Sequence, residues 1–192
     1  MPISPLGDAI PKQNSKILPL IGNLVLRIFN WQTEGDIPNL PKFVVVGAPH
    51  TSNWDFVYTM AFIFSVNIKI YWMGKHTLFR RPFGGIMRRM GGIAIDRRAP
   101  KGTVGQMVEV FNNQDKLILL IPPEGTRKKV ENWKTGFYHI AHGANVPILL
   151  AYLDYGRKVI GFGPTITPSG DVAADMQRIQ SFYRDIPGKY PH

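Results

Sequence analysis

A histidine followed five residues later by an aspartate, with a serine between them, is the first group in this sequence that could do chemistry. It stands in Ala48-Pro49-His50-Thr51-Ser52-Asn53-Trp54-Asp55, directly after the apolar run Phe43–Gly47. Ser52-x-x-Asp55 has the form of a capping box, which puts Ser52 at a helix N-cap and Asp55 in the first turn. On a continuous helix, a separation of five would leave His50 and Asp55 about 140° apart. The bend at a cap can instead bring the imidazole beside the carboxylate. A carboxylate on one ring nitrogen fixes the tautomer and stabilises the cation, and the other nitrogen is left to take a proton from an alcohol. The same residues also admit a plainer role, with Asp55 complementing the helix dipole and His50 an ordinary loop histidine.

Two further segments place reactive or anion-binding groups at strand ends. Gly91-Gly92-Ile93-Ala94-Ile95-Asp96-Arg97-Arg98 passes from an apolar run into charge, and Arg97 could grip a phosphate as a bidentate fork. Ile121-Pro122-Pro123-Glu124-Gly125-Thr126-Arg127 leaves another apolar run. Its prolines force an extended exit, Gly125 permits close backbone approach, and Thr126 and Arg127 offer donors to an anion. Each segment alone suits a solvated strand terminus or a Pro-Gly turn equally well.

These ends need a scaffold, and the apolar pattern supplies one. Strands are predicted at Phe43–Gly47, Ile68–Trp72, Gly92–Ile95, Leu117–Ile121, Ile148–Leu153 and Val159–Phe162, the last two joined by a turn at Tyr155-Gly156-Arg157. Helical spacing links Val57, Met60, Ala61 and Phe64, and likewise Val104, Met107, Val108 and Phe111, with Thr103-x-x-Gln106 as a capping box for the second helix. Val172, Met176, Ile179 and Tyr183 line a last helix with Asp171 at its N-cap. Fully apolar strands alternating with helices predict an α/β domain spanning residues 1–192. Its sheet would be mixed and mostly parallel, covered by helices on both faces, with ligands collected at strand ends.

Composition narrows the function. The chain has 192 residues, no cysteine and a net charge of +10. The absence of cysteine excludes a disulfide scaffold and fits a reducing compartment. Eight of the 23 basic side chains but one of the 13 acids fall within residues 75–101, which marks a localised anion site. Nucleic acid remains possible as its partner, yet no zinc-finger, basic-heptad or RNP-like pattern accompanies it. No signal peptide fits the N-terminus. Residues 15–31 are expected to form an apolar helix. Its core, Ile17–Phe29, carries Asn23 and Arg27 and falls short of the ~20 residues a membrane span needs. It suits either burial or a membrane interface with Trp31 at headgroup level.

Taken together and in order, these segments resemble the glycerolipid acyltransferase family, whose best-known members act on 1-acylglycerol 3-phosphate. His50…Asp55 is similar to the family's His-x-x-x-x-Asp signature, and Ser52 to the serine usual within it. Gly91–Arg97 resembles the second block, Pro123–Arg127 the third and Val146-Pro147-Ile148 the fourth. Gly74-Lys75-x-x-Leu78-Phe79 and Trp133-Lys134-x-Gly136 also look like family segments. The likeness covers roughly residues 40–165. Pro49 stands where many members have Asn, and Ile121-Pro122 replaces the usual aromatic entry to the third block, which leaves the acceptor open.

The resemblance implies transfer of a fatty acyl group from acyl-CoA or acyl-carrier protein to the hydroxyl of a lysophospholipid, first among them 1-acylglycerol 3-phosphate, giving phosphatidic acid. His50 would be the base and Asp55 its orienter. Ser52, Lys75, Arg97, Glu124, Gly125, Thr126, Arg127 and Lys134 would form the substrate site. No metal, no nucleic-acid partner and no cofactor beyond the thioester co-substrate is implied, and His76, His139, His142 and His192 read as structural or surface residues. The enzyme would sit peripherally on the cytoplasmic face of an anionic membrane. The alternatives are the same chemistry on another acceptor (another lysolipid, an amino-acid-linked lipid or a polar headgroup) and a non-catalytic basic module that binds nucleic acid or membrane.

Overall fold

Successive residues of the central strand β2 (Lys42–Gly47) face opposite layers of helices. Val44 and Val46 join one buried cluster, and Phe43 and Val45 join the other. This period-2 alternation in a wholly apolar strand is what a sheet covered on both faces requires. A computed structural model describes residues 5–95, 102–128, 130 and 132–190, with the Lys75 side chain also outside the description.

The elements run α1 (Leu18–Ile28), β1 (Gln32–Glu34), β2, α2 (Asn53–Ser65), β3 (Tyr71–Lys75), a 3₁₀ turn at His76–Phe79, α3 (Gly84–Arg89), β4 (Gly92–Ile95), α4 (Gly102–Asn112), β5 (Leu117–Ile121), α5 (Gly136–Gly143), β6 (Ile148–Asp154), β7 (Val159–Ile166) and α6 (Val172–Tyr183). The seven strands lie in the order β1-β7-β6-β2-β5-β3-β4. Every neighbouring pair is parallel except β6 with β7. The expected mixed, mostly parallel sheet with a late hairpin is therefore observed. Strands β2 to β6 share one direction, so one edge of the sheet gathers the end of β4, the loops after β2 and β5 and the β6–β7 turn.

Side chains of α1 and α2 fill the layer on one face, including Leu26, Tyr58 and Phe62. Those of α4, α5 and α6 fill the other, including Met107, Phe111, Tyr138 and Ile179. Asp171 caps α6 as expected, accepting from the Ala174 amide at 3.0 Å. Tyr138 of α5 donates its hydroxyl to Asp175 of α6 at 2.8 Å, which ties the two helices together below the sheet.

Four expectations need correction. Thr103 is not an N-cap: α4 already includes Gly102, and the Gln106 amide reaches back to the Gly102 carbonyl at 2.9 Å. The third strand begins at Tyr71 rather than Ile68, because Ile68 forms an isolated antiparallel bridge with Lys12. Trp31 is buried against Tyr58 and Tyr155 instead of standing at a surface. The elements β1, α3 and α5 were not anticipated. β1 and α3 are short, and α5 opens on glycine without a side-chain cap.

Helix α1 resolves the choice between burial and exposure by doing both. Gly22 and Leu26 face inward, while Ile17, Leu20, Ile21, Leu24 and Ile28 are between 47% and 70% exposed. Ser15 accepts the Ile17 and Leu18 amides, and Pro19 lies in the first turn, where its missing N–H costs nothing. Gly22 allows the contact with α2. A β-carbon there would stand 2.4 Å from the Ala61 carbonyl oxygen and from the Ser65 nitrogen. Alanine in a helix interior ordinarily gains about 1 kcal/mol over glycine. At this position Gly22→Ala is expected to lose about 1–3 kcal/mol through overpacking, read as a lower urea midpoint. An unchanged or raised midpoint would show that α1 can step away from α2 without cost.

Candidate active site

The loop after β2 is built so that His50 and Asp55 meet. Ser52 has extended backbone (φ −147°, ψ 157°), takes the Trp54 amide on its side chain and starts α2 with the complete capping box expected from the sequence. The turn at the cap folds His50 back over the helix start, and its Nδ1 lies 3.0 Å from Asp55 Oδ2. The same oxygen accepts the Thr51 amide at 2.8 Å and the Ser52 amide at 2.9 Å. Asp55 Oδ1 accepts the Tyr155 hydroxyl at 2.6 Å. The carboxylate is 4% exposed. Burial alone would raise its pKa, but the donors from His50, Tyr155, Ser52 and Thr51 outweigh burial and hold it below the ordinary aspartate value. An anionic Asp55 on Nδ1 leaves Nε2 as the nitrogen that can take a proton.

Glu124, from the loop after β5, holds the other side of His50. Its Oε1 accepts the His50 backbone amide at 3.0 Å, and its Oε2 is buried with no hydrogen-bond partner among the described residues. Burial pushes its carboxyl above the ordinary glutamate value, against the lowering effect of the His50 amide. Gly125 follows with φ +64°, a backbone conformation glycine adopts freely, and a β-carbon there would stand 2.9 Å from Lys134 Nζ. The Lys134 amide donates to the Pro123 carbonyl at 2.9 Å, which seats the lysine beside the loop. Arg127 hydrogen-bonds to Asn53 Oδ1 at the start of α2, so the third block is clasped to the first.

Beneath this group opens a cavity of about 860 Å³. Its polar lining includes His50, Asp55, Thr126, Arg127 and Lys134. Much of its apolar wall comes from α2 and from strands β2, β6 and β7, through Val45, Met60, Ile63, Leu153, Ile160 and Phe162. Near the carboxyl end of β2 the Tyr183 hydroxyl donates to the Val46 carbonyl at 2.8 Å and accepts the Ala151 amide at 3.1 Å.

The structure thus brings together His50, Ser52, Asp55, Glu124, Gly125, Thr126, Arg127 and Lys134. Arg97 lies outside the described residues, as do Asp96, Arg98 and Lys101 of the basic stretch. Lys75 ends β3, at the same edge of the sheet. Sequence reasoning missed Tyr155, which it used only as a turn residue. It also missed Thr51, whose hydroxyl accepts the Lys189 and Tyr190 amides at 3.0 and 3.4 Å. No local pattern marks either one, because their partners lie 100 and more residues away.

The Glu124 shift has a sign that can be tested. A raised carboxyl value means the fold favours the neutral acid. That contribution is complete below the ordinary glutamate value and is lost as pH rises through the raised one. Glu124→Gln keeps an acceptor for the His50 amide and removes the charge. The melting temperature of the native protein relative to this variant is expected to fall as pH rises above the ordinary glutamate value. A difference that is flat, or that grows in favour of the native protein, would mean Glu124 is ionised at no cost.

Comparison with known proteins agrees with this geometry. A family model described as Acyltransferase matches residues 29–152. The chain is 31% identical over 182 residues to a 1-acyl-sn-glycerol-3-phosphate acyltransferase of Haemophilus influenzae, covering 83% of this chain and 74% of that one. It is 32% identical over 121 residues to a protein of the same name from Streptococcus pneumoniae, covering 62% of this chain and 45% of that one. In fold it is similar to the crystal structure of the 1-acyl-sn-glycerophosphate (LPA) acyltransferase PlsC from Thermotoga maritima, with a TM-score of 0.62 at 19% identity over 91% of this chain and 80% of that one. With nearly two thirds of its length matched by the family model, and its His50…Asp55 and Glu124…Arg127 segments joined at one end of the sheet, the chain belongs to the glycerolipid acyltransferase family and is an acyltransferase.

Proposed function

We propose that this acyltransferase moves a fatty acyl group from an acyl thioester, acyl-CoA or acyl-carrier protein, to the hydroxyl of 1-acylglycerol 3-phosphate, giving phosphatidic acid. The observation that carries the reading is the His50 Nδ1–Asp55 Oδ2 contact of 3.0 Å beside an apolar cavity with cationic side chains in its lining. A cavity of about 860 Å³ lies within the range of small-molecule sites and suits an acyl chain. The names of the two curated relatives support the acceptor.

The chemistry follows from the geometry. His50 Nε2 removes the proton of the acceptor hydroxyl as its oxygen attacks the thioester carbonyl carbon. The tetrahedral intermediate collapses, the carbon–sulfur bond breaks, and the imidazolium returns its proton to the departing thiolate. Asp55 keeps the ring in the tautomer with Nδ1 protonated and stabilises the imidazolium while it exists. A thioester is already activated, so alignment and proton transfer suffice and no covalent enzyme intermediate is needed. Arg127 and Lys134 face the acceptor phosphate, with Arg97 and Lys75 completing the set that the family resemblance implies.

The test is to incubate the pure protein with lysophosphatidic acid, or with a phosphate-free monoacylglycerol, and either thioester, then to identify the product by mass spectrometry. Phosphatidic acid is the expected product. His50→Ala is expected to lose about 10²–10⁴-fold in turnover with its fold intact. A variant within threefold of wild type, or equal acylation of the phosphate-free lipid, would overturn the assignment.

The proposed lipid acceptor gives the exposed stripe of α1 a purpose. Among the described residues no helix is long and apolar enough to cross a membrane. The α1 stripe, together with Leu78, Phe83 and Ile86 amid Arg80, Arg81, Arg88 and Arg89, suits a peripheral seat on the cytoplasmic face of an anionic bilayer. Leu20→Asp with Leu24→Asp is expected to release the protein from anionic vesicles in sedimentation while sparing activity on a soluble short-chain lysolipid. If the double variant still pellets like wild type, the membrane contact lies elsewhere.

A further inference from the structure

We propose that Tyr155 is a positioning residue for acyl transfer, acting through Asp55; the proposal rests on the His50–Asp55 pair proposed above as the reacting groups. Three of the four donors to Asp55 converge on Oδ2, and all come from residues 50–52 of its own loop. The other oxygen, Oδ1, takes the Tyr155 hydroxyl at 2.6 Å. Rotation about the last side-chain bond of an aspartate is soft and roughly two-fold. Donors on one oxygen therefore leave the carboxylate plane free to swing, whereas a short bond on the second oxygen fixes the plane. With it is fixed the lone pair that Oδ2 presents to His50 Nδ1.

Tyr155 is itself held from several sides. It follows β6 immediately, in the turn before β7. Its ring meets Trp31 edge-on at 5.1 Å and 88°, and Tyr58 at 6.1 Å and 67°. Its backbone amide donates to the Pro187 carbonyl at 3.3 Å. Burial, and then the bond to Asp55, push its hydroxyl well above the ordinary tyrosine value. It therefore remains a donor through the whole working range and is not a proton carrier. Tyr155 stands outside the four sequence blocks and beyond residue 152, where the family match ends.

The experiment is a double-mutant cycle on the purified full chain with a short-chain lysophosphatidic acid and the acyl thioester the wild type uses. It compares wild type, Tyr155→Phe, Asp55→Ala and the double variant. Phenylalanine keeps the ring and its cage, and removes one hydroxyl. Tyr155→Phe is expected to lower kcat roughly 10- to 100-fold, the scale of one hydrogen bond to a charged group, with the acceptor KM within threefold. In the Asp55→Ala background the same change is expected to have no effect beyond twofold, because the group through which Tyr155 acts is gone. A wild-type kcat for Tyr155→Phe overturns the proposal. An equal loss in both backgrounds also overturns it and leaves the His50–Asp55 reading standing, whereas a wild-type kcat for Asp55→Ala overturns both.

Discussion

The Asp55 carboxylate closes the N-terminus of α2 and orients the imidazole of His50 at the same time. A buried carboxylate keeps its charge only when donors replace the water it has lost. Here two loop amides, the imidazole and a phenol supply them. The two roles cannot be separated. The amides that complete the capping box also help hold Asp55 in the anionic form that the proposed proton transfer at His50 calls for. Helix α2 must therefore begin where it does, and the extended backbone at Ser52 is what shortens a five-residue separation into a contact.

Topology explains why so much of the site comes from distant segments. In a parallel sheet every strand of one direction ends on the same edge, and β2, β3, β4, β5 and β6 all do so here. The one antiparallel pairing adds to that edge. Because β7 returns beside β6, the connection between them is a tight turn rather than a crossover to a helix, and the turn stays at the carboxyl end. Tyr155 can reach Asp55 for that reason. Strand β5 lies directly beside β2, so Glu124 arrives next to His50 although 74 residues separate them.

Much of this was legible in the chain, for identifiable reasons. A capping box is local, so Ser52 and Asp55 could be placed from four residues. The core strands are continuous apolar runs with turn residues at their ends, and the hairpin carries its own Gly156. The opening of α4 misled because Thr103 and Gln106 have the right types at the right spacing. There Gln106 bonds the Gly102 carbonyl inside the first turn, a choice the pattern alone does not reveal. Trp31 misled for a different reason. An aromatic ring after an apolar helix fits an interface by type, and only the packing of Tyr58 and Tyr155 around it shows that it belongs inside. The contact between Tyr155 and Asp55 left no trace, since it depends on two strand ends meeting in space.

The clasp between Thr51 and the amides of Lys189 and Tyr190 bears on how freely the loop after β2 can move. Lys189 also lies over the Trp54 ring at 4.8 Å, so this part of the chain runs beside the loop that holds His50. The loop is therefore hemmed in by a segment 138 residues further along the sequence. A chain cut before Lys189 would free the Thr51 hydroxyl and uncover the Trp54 ring, and the loop would open more readily to amide hydrogen exchange and to proteases.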